Sequence, residues 1–252
     1  MPAPTTSDRI FVSVVTNKPT RKPRQRLLDV PTFTIPEAAA FLAIPRRTMH
    51  SWFGGSERLF MPSGHVGEYA LLSFNDVAEA YILYVLREFH QFAPTHLRRV
   101  LEELRKETKS KHPLLGPYLR VFGKTHLLLE KPRRGKRERE IVDLSKSRNL
   151  AIGPVVDVFS KRILQDGKGQ PLRLFPWRFF IDDNDSRPVT MDPDVMSGRL
   201  VVTGTRIPVS VLLGLKAVGK TPEEIAKNYR LSPDIVEKAL LHIEPSPVPK
   251  VA

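Results

Sequence analysis

The segment from Met191 to Ile243, MDPDVMSGRLVVTGTRIPVSVLLGLKAVGKTPEEIAKNYRLSPDIVEKALLHI, constrains the fold most, because its glycines admit two incompatible architectures. Gly214, Gly219, Lys220 and Thr221 fit the phosphate-loop pattern G-x-x-x-x-G-K-T. That loop needs a buried strand before it, a helix after it and amide donors around the anion. VSVLL can pass for the strand, but Pro222 stands where the helix start should supply N–H groups. Only 31 residues follow Thr221, too few for the remaining parallel strands and a magnesium-holding carboxylate. Upstream, VVDVF is the one apolar run with a carboxylate, and it lies inside a helical pattern.

A helical reading accounts for more residues. Val209, Leu212, Leu213 and Ala217 form one stripe, and Gly219 sits at the C-terminal cap position. Thr221-Pro222-Glu223-Glu224 has the form of a capping box with Pro at the first helical position. Ser232-Pro233 starts a third helix with Val236, Ala239, Leu240 and Ile243 in phase. Lys220 then becomes a last-turn cation and Thr221 a cap, and no nucleotide cofactor is expected.

The charge is unevenly placed. Of 40 basic and 27 acidic residues, eight and seven lie from Pro188 onward, so the first 187 residues carry +12 of the net +13. Such a field attracts polyanions, nucleic acid above all, although a solvated surface would read the same way. No cysteine is present, which removes disulfides, thiolate metal sites and cysteine nucleophiles. No apolar run reaches the ~18 residues needed to cross a bilayer, and the N-terminus lacks a signal-peptide pattern. The expectation is a soluble, cytoplasmic (nucleoid-associated) protein.

Residues 1–32 are expected to form a flexible basic arm, with Lys18, Arg21, Lys22, Arg24 and Arg26 among prolines as candidate DNA contacts. Order is expected from about Phe33. Thr34 and Glu37 have capping-box spacing, and Pro36 lies in the first turn of a helix through Ala38, Ala39 and Leu42. Pro45 opens a second short helix, RRTMHSWF, closed by Gly54-Gly55. Its core stripe is Met49, Trp52 and Phe53, which turns Arg46, Arg47, Thr48, His50 and Ser51 toward solvent as candidate DNA-reading residues. A hairpin wing is expected around Ser63-Gly64. Ser73 and Asp76 cap a long helix, which breaks at Pro94-Thr95 and continues to about Lys109. YLRVF and THLLLE flank a two-residue link, Gly123-Lys124, as a type II′ hairpin would. KPRRGKRERE reads as an exposed basic loop, Val155, Phe159 and Ile163 as a helix, PLRLFPWRFF as extended chain, and IDDNDSRP as a linker.

No catalytic constellation emerges. The histidines at 50, 65, 90, 96, 112, 126 and 242 lack metal-ligand spacing, and Asp182, Asp183 and Asp185 cluster on the linker-like segment. No enzyme activity, metal or cofactor is expected.

The C-terminal text resembles a small bacterial domain of unknown function, the GTRIPV-containing family 433. Asp192-Pro193, Gly198, Gly204-Thr205-Arg206-Ile207-Pro208-Val209, Gly219, Pro222-Glu223-Glu224-Ile225, Tyr229 and Leu231-Ser232 carry that resemblance. Lys220 replaces the usual small hydroxyl residue and so creates the accidental phosphate-loop match. Upstream, LLSFNDVAEAYILYVLREFHQFAPTHLRRVLEELRKETKSKHPLLG and IPEAAAFLAIPRRTMHSWFGG are similar to longer members, which carry an N-terminal MerR-like winged helix-turn-helix. These longer members look like VapB-type antitoxins of type II toxin–antitoxin modules.

The resemblance implies a PIN-like ribonuclease toxin as partner and autorepressive binding to the operon promoter. It also implies a dimer or a higher toxin–antitoxin assembly. Arg199, Arg206, Ile207 and Val209 are the candidate toxin contacts. The fold class expected is mainly α with small β elements (α+β). Its parts are the arm (1–32), a winged helix-turn-helix with long helices (33–115), and a small α+β middle region (116–181). A linker (182–189), a three-helix domain (190–244) and a tail (245–252) follow. The alternative is a stand-alone winged helix-turn-helix regulator without a toxin.

Overall fold

The computed structural model describes residues 27–56, 58–88, 92–115 and 187–243, with shorter stretches at 119–122, 126–132, 139–144, 155–156, 162–166 and 170–176. Among these residues the fold is mixed α and β, with seven α-helices and three small antiparallel sheets. The β content exceeds the mainly helical expectation.

Strand β1 (Phe33–Thr34) leads into α1 (Ile35–Phe41) and α2 (Arg46–Phe53). The capping box is present in full: Thr34 Oγ1 accepts from Glu37 N, and Glu37 Oε2 accepts from Thr34 N at 2.9 Å. A 3-10 turn at Leu27–Asp29, whose Leu28 is buried, precedes the expected first ordered residue, Phe33. Strands β2 (Gly64–Val66) and β3 (Tyr69–Leu72) pair antiparallel, and β3 also pairs with β1. Val66 faces Tyr69, so this hairpin turns at Gly67-Glu68 and not at Ser63-Gly64. Gly67 has a φ of +57°, the left-handed conformation that glycine tolerates and that decides where the turn falls.

Helices α3 (Phe74–Glu88) and α4 (Pro94–Thr108) pack on this unit. Nearly all of α3 is buried, including Asp76 and Glu79. Strands β4 (Leu119–Phe122), β5 (His126–Pro132), β6 (Arg139–Asp143) and β7 (Val155–Val156) form a sheet in the order β6-β5-β4-β7. Phe122 faces His126, so three residues and not two join β4 to β5. The basic run is also not wholly a loop, because Lys131 and Pro132 pair with Glu140 and Arg139. The helix expected through Val155 and Ile163 is absent at both ends, where the chain pairs as β7 and β8 (Ile163–Gln165). Val155 and Ile163 are β-branched, and cross-strand pairing overrides a helical spacing of only three residues.

The C-terminal module holds more than helices. Strands β9 (Pro171–Leu174), β10 (Val189–Asp192) and β11 (Val195–Val202) extend β8 into a sheet of order β11-β10-β9-β8, with Met191 facing Leu174. Helices α5 (Val209–Ala217), α6 (Pro222–Tyr229) and α7 (Pro233–Ile243) follow. Gly219 has a φ of +87° and donates to Lys216 O, a left-handed helix end, while Thr221 and Glu224 complete the second capping box. Gly214 lies inside α5 and Lys220 pairs with Glu224, so the phosphate-loop letters spell a helix end and a helix start. The expected α5 stripe needs one correction: Val209 and Leu212 are buried, Leu213 is half-buried and Ala217 is exposed.

One core joins the N-terminal helices to this module. Gly198, with a φ of +79°, lies so close to Phe33 and Phe74 that a Cβ there would meet Phe33 Cζ at 3.1 Å and Phe74 Cδ2 at 3.3 Å. At the other end, fully buried His242 in α7 hydrogen-bonds through Nε2 to Phe41 O, a carbonyl in the last turn of α1, at 2.9 Å. Helix-end carbonyls lack intrahelical partners, so this imidazole supplies one.

Candidate functional site

Helix α2 divides into two faces. Met49, Trp52 and Phe53 are buried, while Arg46, Arg47, His50 and Ser51 are exposed and Thr48 is half-buried. The faces follow from residue spacing on a helix whose start Pro45 presets. Ser51 Oγ donates to Thr48 O at 2.7 Å, and the His50 ring lies over Gly54, where a Cβ would sit 2.8 Å from His50 Cε1. The exposed face thus offers two guanidinium groups with an imidazole and a hydroxyl held close behind them. The candidate arm residues Lys18, Arg21, Lys22, Arg24 and Arg26 lie outside the described residues, as do Asp182, Asp183 and Asp185.

The G-T-R-I-P-V run closes on itself. Gly204 takes a φ of +77°, and Thr205 Oγ1 donates to Val202 O at 2.8 Å while accepting from Ile207 N at 3.0 Å. Val202 N then donates to Ile207 O, and Pro208 precedes the first turn of α5. The threonine is a bracket, and Arg206 is exposed at the apex of the bracketed loop. Ile207 is half-buried, whereas Val209 is 0% exposed. Val209 is therefore a core residue and no contact surface, a correction to the candidate set. Arg199 is exposed just after Met196, Ser197 and Gly198, three consecutive residues with positive φ. Non-glycine residues in that conformation carry strain, which the flanking pairing of β10 with β11 sustains. Arg173 pairs with Asp192 at the turn end of the β10–β11 hairpin at 2.9 Å, and Asp192 Oδ1 also accepts from Asp194 N.

Spacing gave no hint of a buried polar cluster at the start of α3. His112 contacts Glu79 Oε2 through Nδ1 at 3.1 Å and Asp29 Oδ1 through Nε2 at 3.2 Å, with Asp76 Oδ1 3.7 Å from Nδ1. Glu79 Oε1 accepts from Leu114 N, and Asp76 Oδ2 accepts from Ser63 N and Ser73 N. Burial pushes the Glu79 carboxyl above its ordinary range, against the opposing pull of His112. Burial also acts to lower His112, but the hydrogen bond and charge of Glu79, with Asp76 and Asp29, overcome it and hold the ring above its usual value. The cluster ties together three distant segments and reads as structural. No group of three or more His, Cys, Asp or Glu side chains among the described residues is arranged to hold a metal ion. No helix there is long and apolar enough to cross a membrane.

Residues 189–242, from the start of β10 almost to the end of α7, match a family model described as "Protein of unknown function (DUF433)". Over 234 residues the chain is 26% identical to a Mycobacterium tuberculosis protein named "Putative antitoxin VapB45", covering 84% of this chain and 93% of that one. The crystal structure of Rv2018 from Mycobacterium tuberculosis superposes with a TM-score of 0.57 at 22% identity, over 84% of this chain and 99% of that one. The chain thus shares its fold with a mycobacterial protein along most of its length, and its C-terminal strand pair and three helices are similar to a family of unknown function.

Proposed function

We propose that this protein is the antitoxin of a type II, VapBC-like toxin–antitoxin module. In this reading it binds and neutralises a PIN-like ribonuclease toxin and binds its own operon promoter as an autorepressor, as a dimer or within a larger assembly in the cytoplasm. The observation that carries the reading is the likeness to the mycobacterial antitoxin-named protein across most of both chains. The outward guanidinium face of α2 and the basic excess of the first 187 residues support the DNA half.

Helices α1 and α2 with the β2–β3 hairpin act as a winged helix-turn-helix, in which Arg46, Arg47, Thr48, His50 and Ser51 meet the DNA and the arm adds phosphate contacts. The C-terminal module takes the toxin. Asp234 and Glu237 are exposed on α7, where a DNA-facing helix would repel phosphate. Arg206, at the apex of a loop bracketed by Thr205, and Arg199, on the strained β11 turn, are the contacts aimed at the toxin, with Ile207 beside them. Neither site requires a metal or cofactor of this chain.

Co-expression with the neighbouring reading frame, followed by co-purification and growth rescue, tests the reading. A complex and restored growth are expected; absence of both points to a stand-alone regulator. Promoter binding should weaken in the Arg46→Ala/Arg47→Ala variant, with a salt slope shallower by roughly 0.9 for each phosphate no longer neutralised. Unchanged binding removes α2 from the DNA interface.

A further inference from the structure

We propose that the cleft where α2, α3 and α4 converge is a seat for a backbone phosphate of nucleic acid, extending the contact surface beyond α2. The proposal rests on the reading of α2 as DNA-facing. The cleft has a volume of about 640 Å³ and is lined by Ser51 and Ser56, the Gly54-Gly55 turn, Arg87 from the last turn of α3, and Thr95 and Arg98 from the first turns of α4. None of the described residues that line it is acidic. A second cavity, of about 370 Å³, also carries arginines, but Asp76 and Glu79 line it, so an anion there meets carboxylates. That contrast selects the first cleft.

Three features border this one cleft. Two guanidinium groups supply charge and paired donors suited to phosphate oxygens. Thr95 and Arg98 are three residues apart and so share one face of α4. Pro94 at the first position of α4 supplies no amide donor, so the start of that helix contributes through its dipole: α4 runs for 15 residues with its positive end at the cleft. Arg87 Nε pairs with Glu88 at 3.5 Å, with the two side chains 39% and 48% exposed. Exposed pairs of that kind are weak, so exchanging the carboxylate for a phosphate costs little. Ser51 belongs both to the cleft and to the outward face of α2. A strand whose bases meet α2 would therefore present its next phosphates at Ser51, Thr95 and Arg98.

The test uses the full chain, a labelled mixed-sequence duplex and a salt series, comparing the parent with Arg87→Gln/Arg98→Gln and with Arg46→Ala/Arg47→Ala. The cleft variant is expected to bind more weakly to every sequence, with a salt slope shallower by roughly 0.9 for each phosphate it no longer neutralises. Thr95→Glu, an exposed single substitution, should weaken binding in the same way and covers the case of a double variant that does not fold. A parent-like slope in both cleft variants, while the α2 variant weakens, overturns the cleft and leaves the α2 reading intact. Parent-like binding in all variants overturns both. If inorganic phosphate raises the melting temperature of the parent but not of the cleft variant, while the duplex slope stays unchanged, the cleft takes a free anion and the backbone assignment falls.

Discussion

Replacing Gly198 by alanine separates two costs that the structure places at one residue. The backbone cost is that of holding an L-residue at a φ of +79°, about 1–2 kcal/mol. The packing cost arises because the new methyl meets Phe33 Cζ at 3.1 Å and Phe74 Cδ2 at 3.3 Å, and both rings are buried. Crowding a filled core by one methyl typically costs about 1–3 kcal/mol, so Gly198→Ala should lose roughly 2–5 kcal/mol. Gly204→Ala supplies the comparison. Its φ is +77°, and nothing lies within 4 Å of its Cβ position, so it should lose only the backbone part. Urea denaturation of both variants gives the difference as a shift in midpoint at constant slope. Phe33→Leu should relieve part of the crowding, making Gly198→Ala cheaper in that background, a coupling of order 1 kcal/mol for residues in contact. Equal losses at both glycines, with no coupling to Phe33, would falsify the docking of the C-terminal strand turn on the N-terminal aromatics.

Three further outcomes follow from the same geometry. Folded His112 and Glu79 both hold their protons more tightly than in the unfolded chain, so the stability they provide is complete below their ordinary values of 6.5 and 4.5 and is lost as pH rises through the higher folded values. Thermal melts should therefore fall from neutral into mildly alkaline pH in the parent, and His112→Gln should flatten that decline. His242→Leu leaves the part-buried Phe41 O without its imidazole partner, and a loss of about 1 kcal/mol in chemical denaturation is expected. A parent-like midpoint removes this tether between α7 and α1. Arg206→Ala should leave the melting temperature unchanged, because the side chain is exposed, and should weaken capture of the neighbouring gene's product. Full capture and full growth rescue remove Arg206 from the toxin contact.

What the residues announced by themselves was local. Thr34 with Glu37 and Thr221 with Glu224 are caps closed within three residues, so their spacing suffices to locate two helix starts. Gly219 ends α5, and the Met49–Trp52–Phe53 stripe orients α2, because both depend only on helical geometry over one turn or two. The phosphate-loop letters yield to the same local rules, because a cap and a helix end account for all of them. Strand pairing was less legible. Val155 and Ile163 carry a helical spacing yet pair as strands, and β10 joins β9 across a stretch that reads as linker, because the deciding partners are distant in the chain.

Tertiary structure alone seated Gly198 between two aromatic rings and brought Asp29, Glu79 and His112 into one cluster. The same folding assembled Arg87, Thr95 and Arg98 around a cleft beside Ser51. Each of these depends on contacts across tens of residues, which no periodicity records. Helix ends are written in adjacent residues because their unpaired amides and carbonyls are satisfied locally. Surfaces that bind are assembled by the packing of distant segments, and only that packing decides which charges share a cleft.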